Sequence, residues 1–171
     1  NGPGPPIAEH AGTGGLSGHK FQLREGGLRV PGILEWPGRI AEGFQTTIPA
    51  GTVDFYPTLL DAAGVESPKT AGPLDGISLL PLIDGDMEQR PEPLAFEQRN
   101  LKGDVRAAAL VDDRYKLLET GPSPALFDLE EDPAEKHDLR RSETAVSQHM
   151  EQELSAWQKS VEKDMAAYEP G

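Results

Sequence analysis

The chain has no cysteine among its 171 residues. Disulfides, thiolate metal sites and a cysteine nucleophile are therefore excluded within it. Basic residues are scarce, with 16 Lys and Arg against 29 Asp and Glu, for a formal charge of −13. The deficit is uneven: 5 basic against 8 acidic residues over 1–80 leave −3, and 11 against 21 over 81–171 leave −10. A nucleic-acid partner needs a basic face, which this composition does not supply. An anionic substrate could be held only where a few cations converge. No apolar run approaches the roughly 20 residues of a membrane span. A phosphate-binding Gly-x-x-x-x-Gly-Lys-Ser/Thr loop is also absent, since in "GTGGLSGHKF" His19 precedes Lys20 and Phe21 follows it. No His-x-x-x-His or His-x-His spacing occurs, which argues against a zinc site made by this chain alone. The opening "NGPGPP" has no initiator Met and no signal peptide, and we expect a segment to precede it.

Glycine (19) and proline (16) are abundant, and hydrophobic residues make up 36%. This composition predicts a loop-rich fold of one domain, or one domain with a small appendage. Residues 1–19 read as a Gly/Pro loop. The nearly continuous apolar run "LRVPGILEW" (28–36) predicts a strand buried on both faces, with regular pairing after Pro31. "TVDFYPTLLDAAG" (52–64) predicts a helix capped by Thr52 or Asp54, with Phe55, Leu59 and Ala62 or Ala63 toward a core. "ISLLPLIDG" (77–85) is a short apolar segment ending in a turn. Strands are expected at 94–97, 105–111, 114–119 and 125–129, with Asp112-Asp113 joining the second to the third. Val146, Met150, Leu154, Trp157 and Val161 recur at spacings of 4, 4, 3 and 4, a helix face within about 143–163. We expect residues 94–171 to form a small antiparallel sheet with one packed helix, and residues 1–93 to form a separate part.

Several residues are candidates for chemistry. Asn1 offers a hard amide oxygen suited to Ca²⁺ or Mg²⁺, although Asn-Gly is also an ordinary turn. Lys20 is a compact cation able to grip an oxyanion, or else a solvated loop lysine. Glu25-Gly26-Gly27-Leu28-Arg29 joins an acid and a base across paired glycines. Glu25 and Arg29 could pair and brace the loop, a structural role favoured over direct catalysis. His10 and His19 sit in the same loop as possible acid/base or substrate contacts. The acidic run "DLEEDPAEKHD" (128–138) lacks the spacing of a calcium-binding hand and reads as a solvated turn.

In order and at compatible distances, "NGP", "LSGHKFQLREGGLRVPGILEWPGRI", "VDFYPTLLDAAG", "LDGISLLPLIDG", "RYKLL…LFDLEEDPAEKHDL" and "LSAW" resemble the type I sulfatases, in particular arylsulfatase and N-acetylgalactosamine-6-sulfatase-like enzymes. The resemblance runs over nearly the whole chain. It implies an alkaline-phosphatase-like α/β fold, of which this chain would be the C-terminal part of the large domain (1–93) plus a C-terminal α+β subdomain (94–171). It also implies hydrolysis of aryl or carbohydrate sulfate esters by a formylglycine nucleophile, made from the Cys or Ser of a Cys/Ser-X-Pro-X-Arg motif, with Ca²⁺ offsetting charge on the sulfate. By position, Asn1 matches the Asn of the family's Asp-Asn-Gly calcium motif. Lys20 matches the lysine that contacts sulfate, and Glu25, Gly26, Gly27 and Arg29 match the loop after it. The nucleophile motif and most calcium ligands have no counterpart here, so they are expected upstream and the segment alone is expected to be inactive. The family is commonly exported, which implies a periplasmic or secreted home. Two other readings stay open: part of a phosphate-ester or phosphonate hydrolase of the same superfamily, and a non-catalytic interaction module.

Overall fold

Four strands form one sheet in the order β1-β2-β3-β4: β1 (Leu94–Arg99), β2 (Val105–Val111), β3 (Tyr115–Glu119) and β4 (Ala125–Asp128). The computed structural model describes residues 2–4, 12–68 and 72–167. β2 and β3 pair antiparallel with Leu110 opposite Leu117, and β3 and β4 pair antiparallel with Leu117 opposite Leu126. Side chains alternate across the pleat, so successive residues of each strand serve different faces. Ala108, Leu110, Leu117 and Leu126 face helix α4 (Thr144–Ala167) and pack with Met150 and Leu154. Val146 and Trp157 flank that contact, which is the apolar stripe expected from the sequence. Each of the buried Leu and Met side chains contributes about 1.5–3 kcal/mol.

The opposite face of the sheet is also covered. Ala109, Leu118 and Phe127 form its core, and Leu23 packs against them. The short residues of β2 therefore have a reason: Ala108 and Ala109, both fully buried, admit a covering layer on each side. Leu23 precedes a single helical turn, α1 (Glu25–Leu28), so the Lys20 loop is a layer over the sheet.

The chain divides into two compact units. One runs up to Pro31 and resumes at Ala95, and the other is Gly32–Leu94. In the second, a 3₁₀ turn (Thr52–Asp54) leads into α2 (Phe55–Ala62), and α3 (Leu80–Asp84) follows. Gly85 ends α3 at φ 84°, a left-handed position that glycine adopts without penalty. The core of this unit is small: Leu79, Leu80, Leu82 and Leu94. At its centre Asp54 and Arg90, both with fully buried side chains, form a two-pronged ion pair at 2.8 and 2.9 Å. Asp54 also accepts from the backbone N–H groups of Gly51 (2.7 Å) and Ile77 (2.9 Å). Thr58 accepts from Leu79 N–H at 2.9 Å.

Two expectations are corrected here. Residues 29–36 form no strand among the described residues. Ile33 is 95% exposed and Leu34 58%. A strand needs a ladder partner for its amides and carbonyls, and none of the described residues offers one. On α2, Phe55 and Leu59 are exposed rather than core-facing, and Thr58 is the buried position. The polar Asp54–Thr58 side of this helix is the one held down by hydrogen bonds.

Candidate functional site

Lys20 sits in a turn whose backbone is fixed from several directions. Its N–H donates to Pro3 O at 3.1 Å, and Gln22 N–H closes the turn on His19 O at 3.1 Å. His19 Nδ1 donates to the Lys20 carbonyl at 2.7 Å, which sets the protonated nitrogen because a carbonyl can only accept. The third residue of the turn, Phe21, has φ 75°. Type II turns place glycine there, since a Cβ is crowded at positive φ. The Phe21 ring lies 5.3 Å from Lys20 Nζ, within cation–π range. Lys20 itself is half-buried.

The glycines of this loop are required by close approach. A Cβ on Gly26 would stand 2.4 Å from Gly18 O and 2.6 Å from Ser17 O. On Gly27 it would stand 2.0 Å from Gln22 O, and on Gly2 1.7 Å from Gly26 O. Gly26 N–H donates to Ser17 O at 2.7 Å and Gly2 N–H to Gly27 O at 2.9 Å. Gly26 and Gly27 are thus the packing centre of the loop. Neither has positive φ, so glycine is required at both by lack of room for a side chain and not by an unusual backbone angle.

Glu25 is buried and pairs with the half-exposed Arg29 guanidinium at 3.9 Å, as expected from the sequence, but it has a closer partner. The partner is Lys116 of β3, fully buried, with Nζ 2.8 Å from Glu25 Oε1 and 3.0 Å from Glu135 Oε1. Glu135 Oε2 accepts from Glu25 N–H at 2.9 Å and from the Ser17 hydroxyl. The acidic run 128–138 is consequently a built turn rather than a solvated one. Glu135 is buried at φ 54°. Asp132 Oδ2 accepts from the N–H groups of Lys136 (2.6 Å) and His137 (2.7 Å). The Arg114 guanidinium, with added help from the N–H groups of Glu131 and Glu130, holds the Asp128 carboxyl below its ordinary range despite burial.

The structure therefore brings Lys20, His19, Glu25, Gly26 and Gly27 into one loop. Arg29 instead lines a cavity of about 510 Å³ with Gly2, Pro3, Thr13, Leu16 and Gly26, and Lys20 is not among its walls. Asn1 and His10 lie outside the described residues. Among those described, no three His, Asp or Glu side chains converge to hold a metal ion. The described residues alone therefore supply no carboxylate cluster for a calcium ion. Ser17, Lys116 and Glu135 escaped the sequence reading. The available signal was Lys116 itself, which shares a strand face with the apolar Leu118 and so had to be buried.

The family profile described as "N-sulphoglucosamine sulphohydrolase, C-terminal" matches residues 15–160. Arylsulfatase A of Bos taurus is 31% identical over 175 residues, covering 86% of this chain and 33% of that protein. Choline-sulfatase of Rhizobium meliloti (strain 1021) is 35% identical over 121 residues, covering 70% and 23%. Among solved structures, Ps i-CgsB in complex with k-i-k-neocarrahexaose superposes with a TM-score of 0.77 at 29% identity, covering 88% of this chain and 33% of that one. The chain thus spans no more than a third of the length of these relatives.

Proposed function

The chain belongs to the sulfatase family, matching its C-terminal part, and on that premise we propose that it supplies one wall of a sulfate-ester hydrolase site, with Lys20 gripping the sulfate. The observation that carries this is the Lys20 turn. Its backbone is fixed at the N–H by Pro3 and at the carbonyl by His19, so the ammonium is presented from a rigid base. A preorganised cation contributes most where charge develops on the transferring group, because no reorganisation is needed at the moment of reaction. In the net reaction, water adds to sulfur, the S–O bond to the alcohol breaks, and alcohol and sulfate leave. Lys20 binds and orients sulfate oxygens. The formylglycine nucleophile and a Ca²⁺ partly ligated by Asn1 would be supplied with residues beyond those described. Glu25, Gly26, Gly27 and Arg29 support the loop, and His10 and His19 are lesser substrate contacts.

A carbohydrate sulfate is the favoured substrate class, supported by the oligosaccharide complex of the Ps i-CgsB relative. The strongly acidic composition means a sulfated polymer would meet a local cationic cleft rather than a basic surface. Among the described residues no helix is long and apolar enough to cross a membrane, and a periplasmic or secreted home is part of this proposal. The test uses the full-length enzyme carrying this segment, assayed on a 4-nitrophenyl sulfate and the matching phosphate. Hydrolysis of sulfate in preference to phosphate is expected. Lys20→Ala should lower kcat by about 10²–10³, the cost typical of losing one oxyanion donor, with an unchanged melting temperature. Unchanged kcat/KM would remove Lys20 from the site, and preference for phosphate would overturn the sulfatase reading.

A further inference from the structure

We propose that Lys116 is a positioning residue that sets the Lys20 loop through a buried two-carboxylate clamp. The proposal rests on the reading of Lys20 as the sulfate contact. Lys116 is the second residue of β3, on the sheet face turned away from α4, with its side chain fully out of water. A lysine in that position is costly unless its charge is matched and its hydrogens are used. Here the ammonium meets carboxylates from two distant parts of the chain, Glu25 and Glu135. Glu135 then uses its other oxygen on Ser17 Oγ and Glu25 N–H.

The consequence is geometric. Ser17 and Glu25 bracket the Lys20 turn, and both end on the same carboxylate. The turn is therefore tied at each end to a strand and to the turn after β4, two rigid supports. The electrostatics point the same way. Glu25 and Glu135 are two buried anions that would repel each other without the ammonium between them. Removing that charge opens the clamp at both ends together, while the apolar faces of the sheet stay intact. A displacement of about 1 Å at the reacting group is enough to cost about 10²-fold in rate.

The experiment has two arms. In the first, amide exchange is followed on this chain and on Lys116→Met, Glu135→Gln and Ser17→Ala. The Gly26 and Leu28 amides should exchange at least about tenfold faster, while β2–β4 and α4 keep their protection. Ser17→Ala touches only the edge of the cluster and covers the case in which Lys116→Met fails to fold. Unchanged exchange in the folded variants overturns the clamp. In the second arm, the full-length enzyme is assayed with each variant alone and combined with Lys20→Ala. If the clamp acts through Lys20, Glu135→Gln lowers kcat about tenfold in the parent and has little further effect once Lys20 is gone. Lys116→Arg, which keeps the charge, should recover part of the loss suffered by Lys116→Met. Fully additive losses would show an effect that bypasses Lys20 and would overturn the proposal. If Lys20→Ala alone leaves kcat/KM unchanged, the sulfate-grip reading fails, and this positioning role fails with it even where the exchange arm finds the clamp intact.

Discussion

The two compact units are each centred on a buried charge cluster, but they use it differently. In Gly32–Leu94, Asp54 and Arg90 are matched one to one, and the Gly51 and Ile77 amides that Asp54 also accepts from lie within the same stretch of chain. In the other unit, Lys116 gathers carboxylates from residues 91 and 19 positions away. Among its described residues Gly32–Leu94 buries four leucines, while Phe55, Leu59, Ile33 and Leu34 stay exposed. The other unit has an apolar interior on both sides of a sheet. Backbone strain divides the same way. Among the described residues, every positive φ in Gly32–Leu94 falls on glycine, whereas the other unit places Phe21 and Glu135 there. A small unit with little apolar burial leans on its polar pivot. A unit with a closed core can carry strained, charged positions, and those positions are at the candidate site.

The sharpest way to break this contrast is Arg90→Ala. It leaves Asp54 buried without its counter-charge, and such losses cost about 3–5 kcal/mol. The loss should be local to its unit: amides of α2 and α3 should lose protection while β2–β4 keep theirs. Equal loss throughout the chain would show that the units are not energetically distinct. The counterpart is Leu154→Ala, which leaves a cavity under β2–β4 at a cost of about 2–5 kcal/mol. Denaturant unfolding followed by exchange should then show β2–β4 weakened and α2 and α3 untouched.

That division explains how much of the molecule was legible beforehand. The sheet and α4 follow from residues that repeat with the period of their element, such as Met150, Leu154 and Trp157, and they were read correctly. The strand expected at 28–36 rested on apolar content alone. Val30, Ile33 and Leu34 carry that content, but a strand also needs partners, and composition cannot show whether partners exist. Of the site, the loop and Lys20 as a candidate oxyanion grip were legible, but not what holds them. Its supports, Ser17 and Glu135, lie 118 residues apart and share no local pattern. Phe21 at positive φ defies the propensity on which turn prediction depends.

Acid should affect Gly32–Leu94 through Asp54. Burial pushes that carboxyl up, but the Arg90 guanidinium and the Gly51 and Ile77 amides together outweigh it and hold the net pKa below its ordinary value. A carboxyl depressed in the folded state contributes stability that is complete above its unfolded pKa, roughly 3.9. That contribution is lost as pH falls through the folded value, because the unfolded chain takes up the proton first. Wild type and Asp54→Asn should therefore differ most at neutral pH and converge from about pH 4 downward. A gap that stays constant to pH 2 would mean that Asp54 contributes through shape rather than charge.

The smallest effect separates strain from function in the other unit. Phe21 holds a left-handed angle with its ring 68% exposed, so little burial is lost by removing the ring. A non-glycine residue in that region costs roughly 1–2 kcal/mol, part of which returns as extra freedom of glycine in the unfolded chain. Phe21→Gly should then raise stability by up to about 1 kcal/mol, read as a small upward shift in melting temperature. The same substitution removes the ring 5.3 Å from Lys20 Nζ. A variant that is more stable yet slower on sulfate esters would show that the strained angle is kept because it places an aromatic ring beside the proposed sulfate contact. A variant that is more stable and equally fast would show that the turn tolerates Phe21 without using it, and the rigid base of Lys20 would then rest on Pro3, His19 and the buried clamp alone.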